Sequence, residues 1–147
     1  MKRQFYTLYD IDGNNTDELL LGVECVSGGI GLGAVYSIQN NVVVKQEEFV
    51  ADIYYSSPSD VLFKNGTIRS ESYDAGELNV AYFCFEDGEL KFQTLLLDSR
   101  GNYYRMHVQF GSLAPITKEE YDRLRKEYEG DGQLAALDWK PLEEYGR

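Results

Sequence analysis

The sequence predicts a mainly β fold of the α+β class, an antiparallel β-meander of hairpins with one C-terminal helix. The chain of 147 residues contains 12 Tyr and 7 Phe, and these residue types favour strands because flat rings pack well across a pleated surface. Short strand-like runs alternate with Gly, Asn or Asp turns between residues 4 and 110. A single helical pattern follows them. We therefore expect strand hairpins first and one helix near the C-terminus.

The strands can be placed in order along the chain. Residues 4–9 alternate, with Phe5, Thr7 and Tyr9 on one side, and predict the first strand. An acidic turn separates it from a second strand, so that the two form a hairpin. Further runs are bounded by turn residues, such as the Asn65-Gly66 pair. The strands predicted after the first cover residues 18 to 26, 35–38, 42–44, 61–63, 67–70, 78–85, 90–97 and 103–110.

The glycine-rich stretch 27–33 invites a comparison with phosphate-binding loops. Its GxGxxG frame fails at Ala34, and no helical pattern follows it. We expect a flexible connection between strands instead, because Gly is a strong turn signal. In the last predicted strand, 103–110, alternation puts four apolar residues on one face. They are Tyr104, Met106, Val108 and Phe110.

A helix is predicted at residues 118–129. Thr117 and Glu120 have the spacing of a capping box, and Gly130 is a stop signal. Three large residues, Tyr121, Leu124 and Tyr128, fall on one helical face. The C-terminal tail is expected to pack back, with Trp139 covering the core and Pro141 ending regular structure. No linker rich in Pro, Gly or Ser divides the chain, so we expect a single domain spanning residues 1–147.

The charge of the chain limits its partners. The 25 acidic and 14 basic residues give a net charge of −11. A negative field repels phosphate backbones, so nucleic acid is not expected as a partner. No apolar run is long enough to cross a bilayer as a helix, so no transmembrane segment is expected.

Cysteine and histidine are scarce. Cys25 and Cys84 are too few for a disulfide framework and each lies in an apolar run, so two buried thiols are expected. A single disulfide between them is the alternative. His107 is the only histidine, and no Cys/His cluster exists, which argues against a zinc site of the usual kind. No catalytic residue is predicted.

The acidic turn at residues 10–18 is the strongest chemical signal. Asp10, Asp12, Asn14 and Glu18 place side-chain oxygens at positions one, three, five and nine of a tight turn, and Ca²⁺ prefers several oxygen ligands at once. The Thr16 carbonyl is the expected backbone ligand. Asp17 faces away in an extended chain, so Glu18 is preferred to it. The alternative is that the turn's Asp and Asn side chains make local hydrogen bonds and bind no ion.

Known calcium loops help to define this turn. An EF-hand needs Gly at position six and Glu at position twelve between two helices. Here those positions hold Asn15 and Leu21, and strands flank the loop. The loop instead resembles the DxDGxGxxD-type calcium loops of FG-GAP repeats over about thirteen residues. It departs from them at Asn14 and Glu18, where those repeats more often carry Asp. The resemblance implies a Ca²⁺ ion that stabilises the first hairpin.

A second resemblance covers most of the chain. The strand and acidic loop of residues 6–22, the Tyr- and Gly-rich hairpins, and the stretches 116–121 and 138–142 resemble a group of uncharacterised secreted or lipoprotein-like proteins of Gram-positive gut bacteria. An export signal precedes the domain in such proteins. The resemblance implies an extracytoplasmic location if such a signal has been removed, and the chain would otherwise be cytoplasmic.

These observations predict a non-catalytic binding or interaction domain with a structural Ca²⁺, acting extracytoplasmically on an unidentified protein or glycan. Two alternatives stay open. One is a small glycan-acting hydrolase that uses a carboxylate pair, with sugar stacked on an aromatic residue. The aromatic candidates are Tyr54, Tyr55, Tyr103 and Trp139. The other is a cytoplasmic acidic partner protein.

Overall fold

The computed structural model describes residues 3–25, 28–48 and 60–142, without the side chains of residues 47 and 48. These residues form two antiparallel sheets and one helix, which confirms the predicted mainly β fold. The first sheet has the strand order β11-β1-β2-β3-β4 and the second has the order β10-β9-β8-β7-β6-β5. The strands are β1 Gln4–Tyr9, β2 Glu18–Glu24, β3 Ile30–Gln39, β4 Val42–Glu48, β5 Asp60–Leu62, β6 Thr67–Asp74, β7 Glu77–Glu86, β8 Glu89–Ser99, β9 Asn102–Met106, β10 Ala114–Ile116 and β11 Lys140–Pro141, and helix α1 is Lys118–Glu129.

The chain divides into two compact units. The first comprises Met1–Val61, Phe85–Leu90 and Ala136–Arg147, and the second comprises Leu62–Cys84 and Lys91–Ala135. The expectation of a single domain over residues 1–147 stays a prediction.

Hairpin β1–β2 builds the centre of the first sheet. Its register runs from Gln4 opposite Val23 to Tyr9 opposite Glu18, so the acidic turn closes the hairpin. Alternation buries one face of the sheet and leaves the other accessible. The buried face includes Phe5, Thr7, Leu20, Val35 and Ser37. The predicted end of the second strand near Val26 lies outside the described residues.

The glycine-rich stretch is not merely a connection, and that prediction is wrong for residues 30–33. Strand β3 begins at Ile30, and Gly31 and Leu32 pair with Val23 and Gly22 of β2. A register shift between Leu21 and Gly22 marks a bulge here. Glycine suits such positions because it lets neighbouring groups approach the backbone closely.

The C-terminal tail returns to the first sheet. Strand β11 pairs antiparallel with β1, with Pro141 opposite Phe5 and Lys140 opposite Tyr6. Pro141 stands in an edge strand, where a missing N–H is tolerated. Trp139 packs close to Gly22, since a Cβ atom built there would lie 2.9 Å from the indole Cζ3.

Helix α1 packs on the second sheet. The Thr117 side chain accepts a hydrogen bond from the Glu120 N–H at 3.1 Å, and Gly130 ends the helix. These contacts confirm the predicted cap and stop. The predicted helical face supplies Tyr121 and Leu124 to a core with strand residues, and Tyr128 packs at its margin. The strand residues of this core are Val80, Tyr82 and Leu96.

A polar network fixes the last turn of α1 to strands β6 and β7. The Glu129 carboxylate accepts hydrogen bonds from Arg69 at 2.8 Å, from Arg125 at 3.2 Å and from the Tyr82 hydroxyl. Arg125 also pairs with Glu71 at 2.8 Å. Burial, together with the hydrogen bond to Glu129, raises the pKa of Tyr82 above its ordinary value, so the phenol remains a proton donor.

The predicted strand 103–110 is wrong in its second half. Strand β9 ends at Met106, and a turn follows in which the Gly111 N–H donates to the Val108 carbonyl at 2.8 Å. Phe110 adopts a φ of 62°, which an extended strand excludes. Val108 and Phe110 are exposed and lie beyond the strand, so they do not share a strand face with Tyr104 and Met106. The chain then returns as β10, which pairs with β9.

Candidate metal centre

The turn between β1 and β2 is organised by Asp10. Its two carboxylate oxygens accept the backbone N–H groups of Asn14 at 3.1 Å and Asn15 at 2.8 Å. Gly13 and Asn15 have positive φ values of 73° and 67°, a conformation that Gly and Asn adopt more readily than other residues. The sequence therefore closes the turn locally around one carboxylate.

Asp12 and Asn14 continue this local bonding. Asp12 accepts the Asn14 backbone N–H and the Asn14 side-chain amide, both at 3.3 Å. The Asn14 side-chain oxygen accepts the Thr16 N–H at 2.8 Å. Asn14, predicted as a metal ligand, thus uses its oxygen within the turn, although a carbonyl oxygen has two lone pairs. The structure therefore contains the local hydrogen bonds that we expected if the turn binds no ion.

Glu18 is the unusual member of the group. It is only 2 % exposed, and its Oε2 accepts the Ile11 N–H at 2.7 Å. Burial raises the pKa of the Glu18 carboxyl to about 7, the Ile11 hydrogen bond opposes this, and the negative charges of Asp12 and Asp10 add to the rise. Asp17, its neighbour, is exposed. An ionised Glu18 is therefore costly unless a positive charge lies nearby.

The structure brings three of the predicted ligands together. One carboxylate oxygen from each of Asp10, Asp12 and Glu18 lies within 4.8 Å of the others. This separation lets a single cation contact all three residues, because Ca²⁺–oxygen distances are about 2.3–2.6 Å. Three carboxylates are fewer than the six to eight oxygens that Ca²⁺ takes, so Asn14, the Thr16 carbonyl and water would complete the set. The ligand roles of Asn14 and Thr16 stay predictions.

The other candidate residues that the structure describes do not gather into a second site. His107 is exposed and follows the end of β9, rather than lying mid-strand as predicted. Tyr103 packs on Tyr121, with ring centroids 4.7 Å apart. Tyr54 and Tyr55 lie outside the described residues. Cys25 and Cys84 are not joined by a disulfide; Cys25 is buried, as predicted, and Cys84 is partly buried.

The Glu129 network is the polar cluster that sequence reasoning missed. Its members come from β6, β7 and α1, and Glu129 is separated from Tyr82 by 47 residues and from Arg69 by 60. No short motif marks contacts at such separations. Its two arginines pair with its two glutamates, and these pairs link the helix to the sheet.

Comparisons with known proteins do not identify the chain. No family model, curated protein or solved structure matches it. Among the described residues, no helix has the length and apolar character needed to span a membrane.

Proposed function

We propose that the chain is a non-catalytic binding or interaction domain whose first hairpin is stabilised by a structural Ca²⁺. The observation that carries this proposal is the convergence of Asp10, Asp12 and the buried Glu18 within 4.8 Å. Three carboxylates at this distance repel one another, and burial adds to the cost for Glu18. A divalent cation removes both penalties. It does so at the closed end of β1–β2, so its effect is to hold the hairpin.

The expected affinity is modest. The loop offers few charged ligands, and Asp10 and Asp12 are partly exposed. Calcium sites of extracellular modules bind in the range of about 0.1–1 mM. A site of this strength is filled only where Ca²⁺ is millimolar, and we propose an extracytoplasmic location on that condition. The ligand of the domain is proposed to be a protein or glycan.

Calcium should stabilise the protein. With a Kd of about 0.1 mM, about 5 mM CaCl₂ adds about 2 kcal/mol to the free energy of unfolding relative to chelator. We expect a rise of about 6 °C in melting temperature by scanning calorimetry. Asp12→Asn should remove the rise, because it deletes one charged ligand at constant size. Asp17→Asn, one residue from Glu18 and outside the cluster, should keep it. The absence of a rise in the natural chain would refute the site.

Stability in chelator should also depend on pH through Glu18. The carboxyl has a higher pKa folded, about 7, than its ordinary value of 4.5, so the folded state holds the proton more tightly. The contribution of the protonated Glu18 to the free energy of unfolding is therefore complete below pH 4.5, and it is lost as the pH rises towards 7. The rise in the pKa of Glu18 corresponds to a loss of about 3 kcal/mol in the free energy of unfolding between low and high pH.

Glu18→Gln tests this coupling. At pH 8 in chelator, the variant should unfold at higher denaturant than the natural chain, because no buried charge remains. At pH 4.5 the two should be alike, and the variant should not respond to Ca²⁺. Equal denaturation midpoints at pH 8 would contradict the assigned cost of ionising Glu18.

A further inference from the structure

The turn between β5 and β6 carries the only Asn-Gly pair in the sequence, Asn65-Gly66. Two backbone hydrogen bonds close this turn. The Gly66 N–H donates to the Phe63 carbonyl at 2.9 Å, and the Phe63 N–H donates to the Thr67 carbonyl at 2.8 Å. Gly66 has a φ of 91°, which glycine adopts readily because it has no Cβ. Asn65 is exposed, so water has access to this turn.

The Asn65 side chain connects the turn to the end of helix α1. Its amide NH₂ donates to the Tyr128 carbonyl at 3.0 Å, and its oxygen accepts the Thr67 N–H at 3.0 Å. Tyr128 lies in the last turn of α1, where carbonyls have no N–H partner within the helix. Gly130 leaves room for the contact, because a Cβ atom built there would lie 3.1 Å from Asn65 Nδ2. Asn65 therefore caps the end of a helix from 63 residues away in sequence.

An Asn-Gly pair is also chemically labile. Asparagine is a thermolabile residue, and a following glycine gives the backbone the freedom to bring its nitrogen to the asparagine side chain. The Gly66 nitrogen loses its proton to hydroxide and attacks Asn65 Cγ, which closes a succinimide ring. The bond from Cγ to Nδ2 breaks, and ammonia leaves. Water then opens the ring at Cγ to give aspartate, or at the Asn65 backbone carbonyl to give isoaspartate. Water is the only co-reactant, and no atom is oxidised or reduced.

We propose that Asn65 is a deamidation site in the folded protein, and that its conversion permanently releases the β5–β6 turn from the end of α1. Aspartate keeps an oxygen for the Thr67 N–H but has no donor for the Tyr128 carbonyl. Two oxygens would then face each other where the structure has a hydrogen bond. The new negative charge also lies at the C-terminal end of a helix, which the helix dipole disfavours. Isoaspartate adds one carbon to the backbone of the turn as well.

The contacts that the reaction destroys also control its rate. In the closed turn, the Gly66 N–H is bonded to Phe63, and both ends of the Asn65 amide are hydrogen-bonded. The reaction therefore starts from a turn that has opened locally. Local opening of an exposed turn costs less free energy than global unfolding, so the folded chain should react, but more slowly than the unfolded chain.

Ageing of the purified chain in mildly alkaline buffer tests the modification. Peptide mapping by mass spectrometry compares the folded chain with the same chain in concentrated urea. We expect aspartate and isoaspartate at Asn65 in both samples, with a rate at least about ten-fold lower in the folded chain. The asparagines that no glycine follows are internal controls and should react far more slowly; they are Asn14, Asn15, Asn40, Asn41, Asn79 and Asn102.

Two outcomes of the ageing experiment overturn the proposal. One is a folded chain that keeps Asn65 intact while the unfolded chain loses it. The other is an equal rate in the folded and unfolded chains, because the hydrogen bonds of the turn would then not control the reaction.

Asn65→Asp tests the structural consequence directly. Asp-Gly also suits a hairpin turn, so the variant should fold. We expect its melting temperature to fall by about 4 °C or more, because the Tyr128 carbonyl loses its donor. The Gly130 N–H, which donates to the Lys126 carbonyl at 2.9 Å, should exchange faster with deuterated water as the helix end loosens.

Asn102→Asp is the matched control. Asn102 is also exposed and lies in the same unit, but its amide donates to the Ser99 carbonyl at the longer distance of 3.4 Å. The same added charge should change the melting temperature there by less than about 2 °C. If Asn65→Asp melts as the natural chain does, or no lower than Asn102→Asp, deamidation does not release the helix end and the proposal is overturned.

Discussion

Replacement of Glu129 by alanine is expected to lower the free energy of unfolding by about 3 kcal/mol. The Glu129 carboxylate accepts hydrogen bonds from Tyr82, Arg69 and Arg125. Tyr82 is completely buried, so its hydroxyl would lose its acceptor with no access to water. Of the carboxylates that the structure describes, Glu71 alone would still pair with Arg69 and Arg125. Thermal unfolding should show a fall of about 10 °C in melting temperature.

Glu127→Ala is the control for this variant. Glu127 lies on the same helix and pairs with Arg123, and both side chains are more than 60 % exposed. Exposed pairs contribute little, so we expect a loss below about 0.5 kcal/mol. If Glu129→Ala and Glu127→Ala lowered the free energy of unfolding by the same amount, the Glu129 network would not be what fixes the helix to the sheet.

Gly22→Ala should destabilise the first sheet by about 2–3 kcal/mol. The new Cβ would lie 2.6 Å from Ile30 Cγ2 and 2.9 Å from the Trp139 ring. Both neighbours are held by strand pairing or by the returning tail, so the backbone must shift to accept the methyl group. Trp139 is the only tryptophan, and its fluorescence during urea unfolding reports the change at the contact itself.

Gly33→Ala provides the comparison for Gly22→Ala. Gly33 is also within a strand, but its added Cβ would meet Val23 Cγ2 at 3.3 Å and the Leu21 carbonyl oxygen at 3.5 Å. A side-chain methyl group can give way by a few tenths of an ångström, so we expect a loss below about 1 kcal/mol. Equal losses at Gly22 and Gly33 would show that chain entropy, rather than the Trp139 contact, decides the effect.

Features written in neighbouring residues were predictable from sequence. Thr117 and Glu120 form the helix cap within one turn. The two-residue turn Asn40-Asn41 has positive φ at both positions, which matches its asparagines. At the candidate site, Asp10, Asp12 and Glu18 converge because a single short turn carries them. In each case the interaction spans nine residues or fewer.

Features that depend on distant residues were not predictable. Strand β3 extends through its glycines because it pairs with β2, and the local sequence does not record this contact. Val108 and Phe110 kept the alternation of a strand, but the chain turns between them. The burial of Glu18 is likewise a tertiary property, although its position in the turn is local. Alternation and spacing thus located the candidate ligands, but they did not reveal the free-energy cost of burying the Glu18 carboxylate.

The pairing of β11 with β1 also affects how the chain can be synthesised and folded. Phe5 and Pro141 are neighbours in the sheet although almost the whole chain separates them. On the ribosome, β1 emerges well before β11, so the edge of β1 that pairs with β11 has no native partner until residues 140–141 have emerged. Vectorial synthesis therefore leaves the first sheet open at the β1 edge until residues 140–141 are available to pair with it.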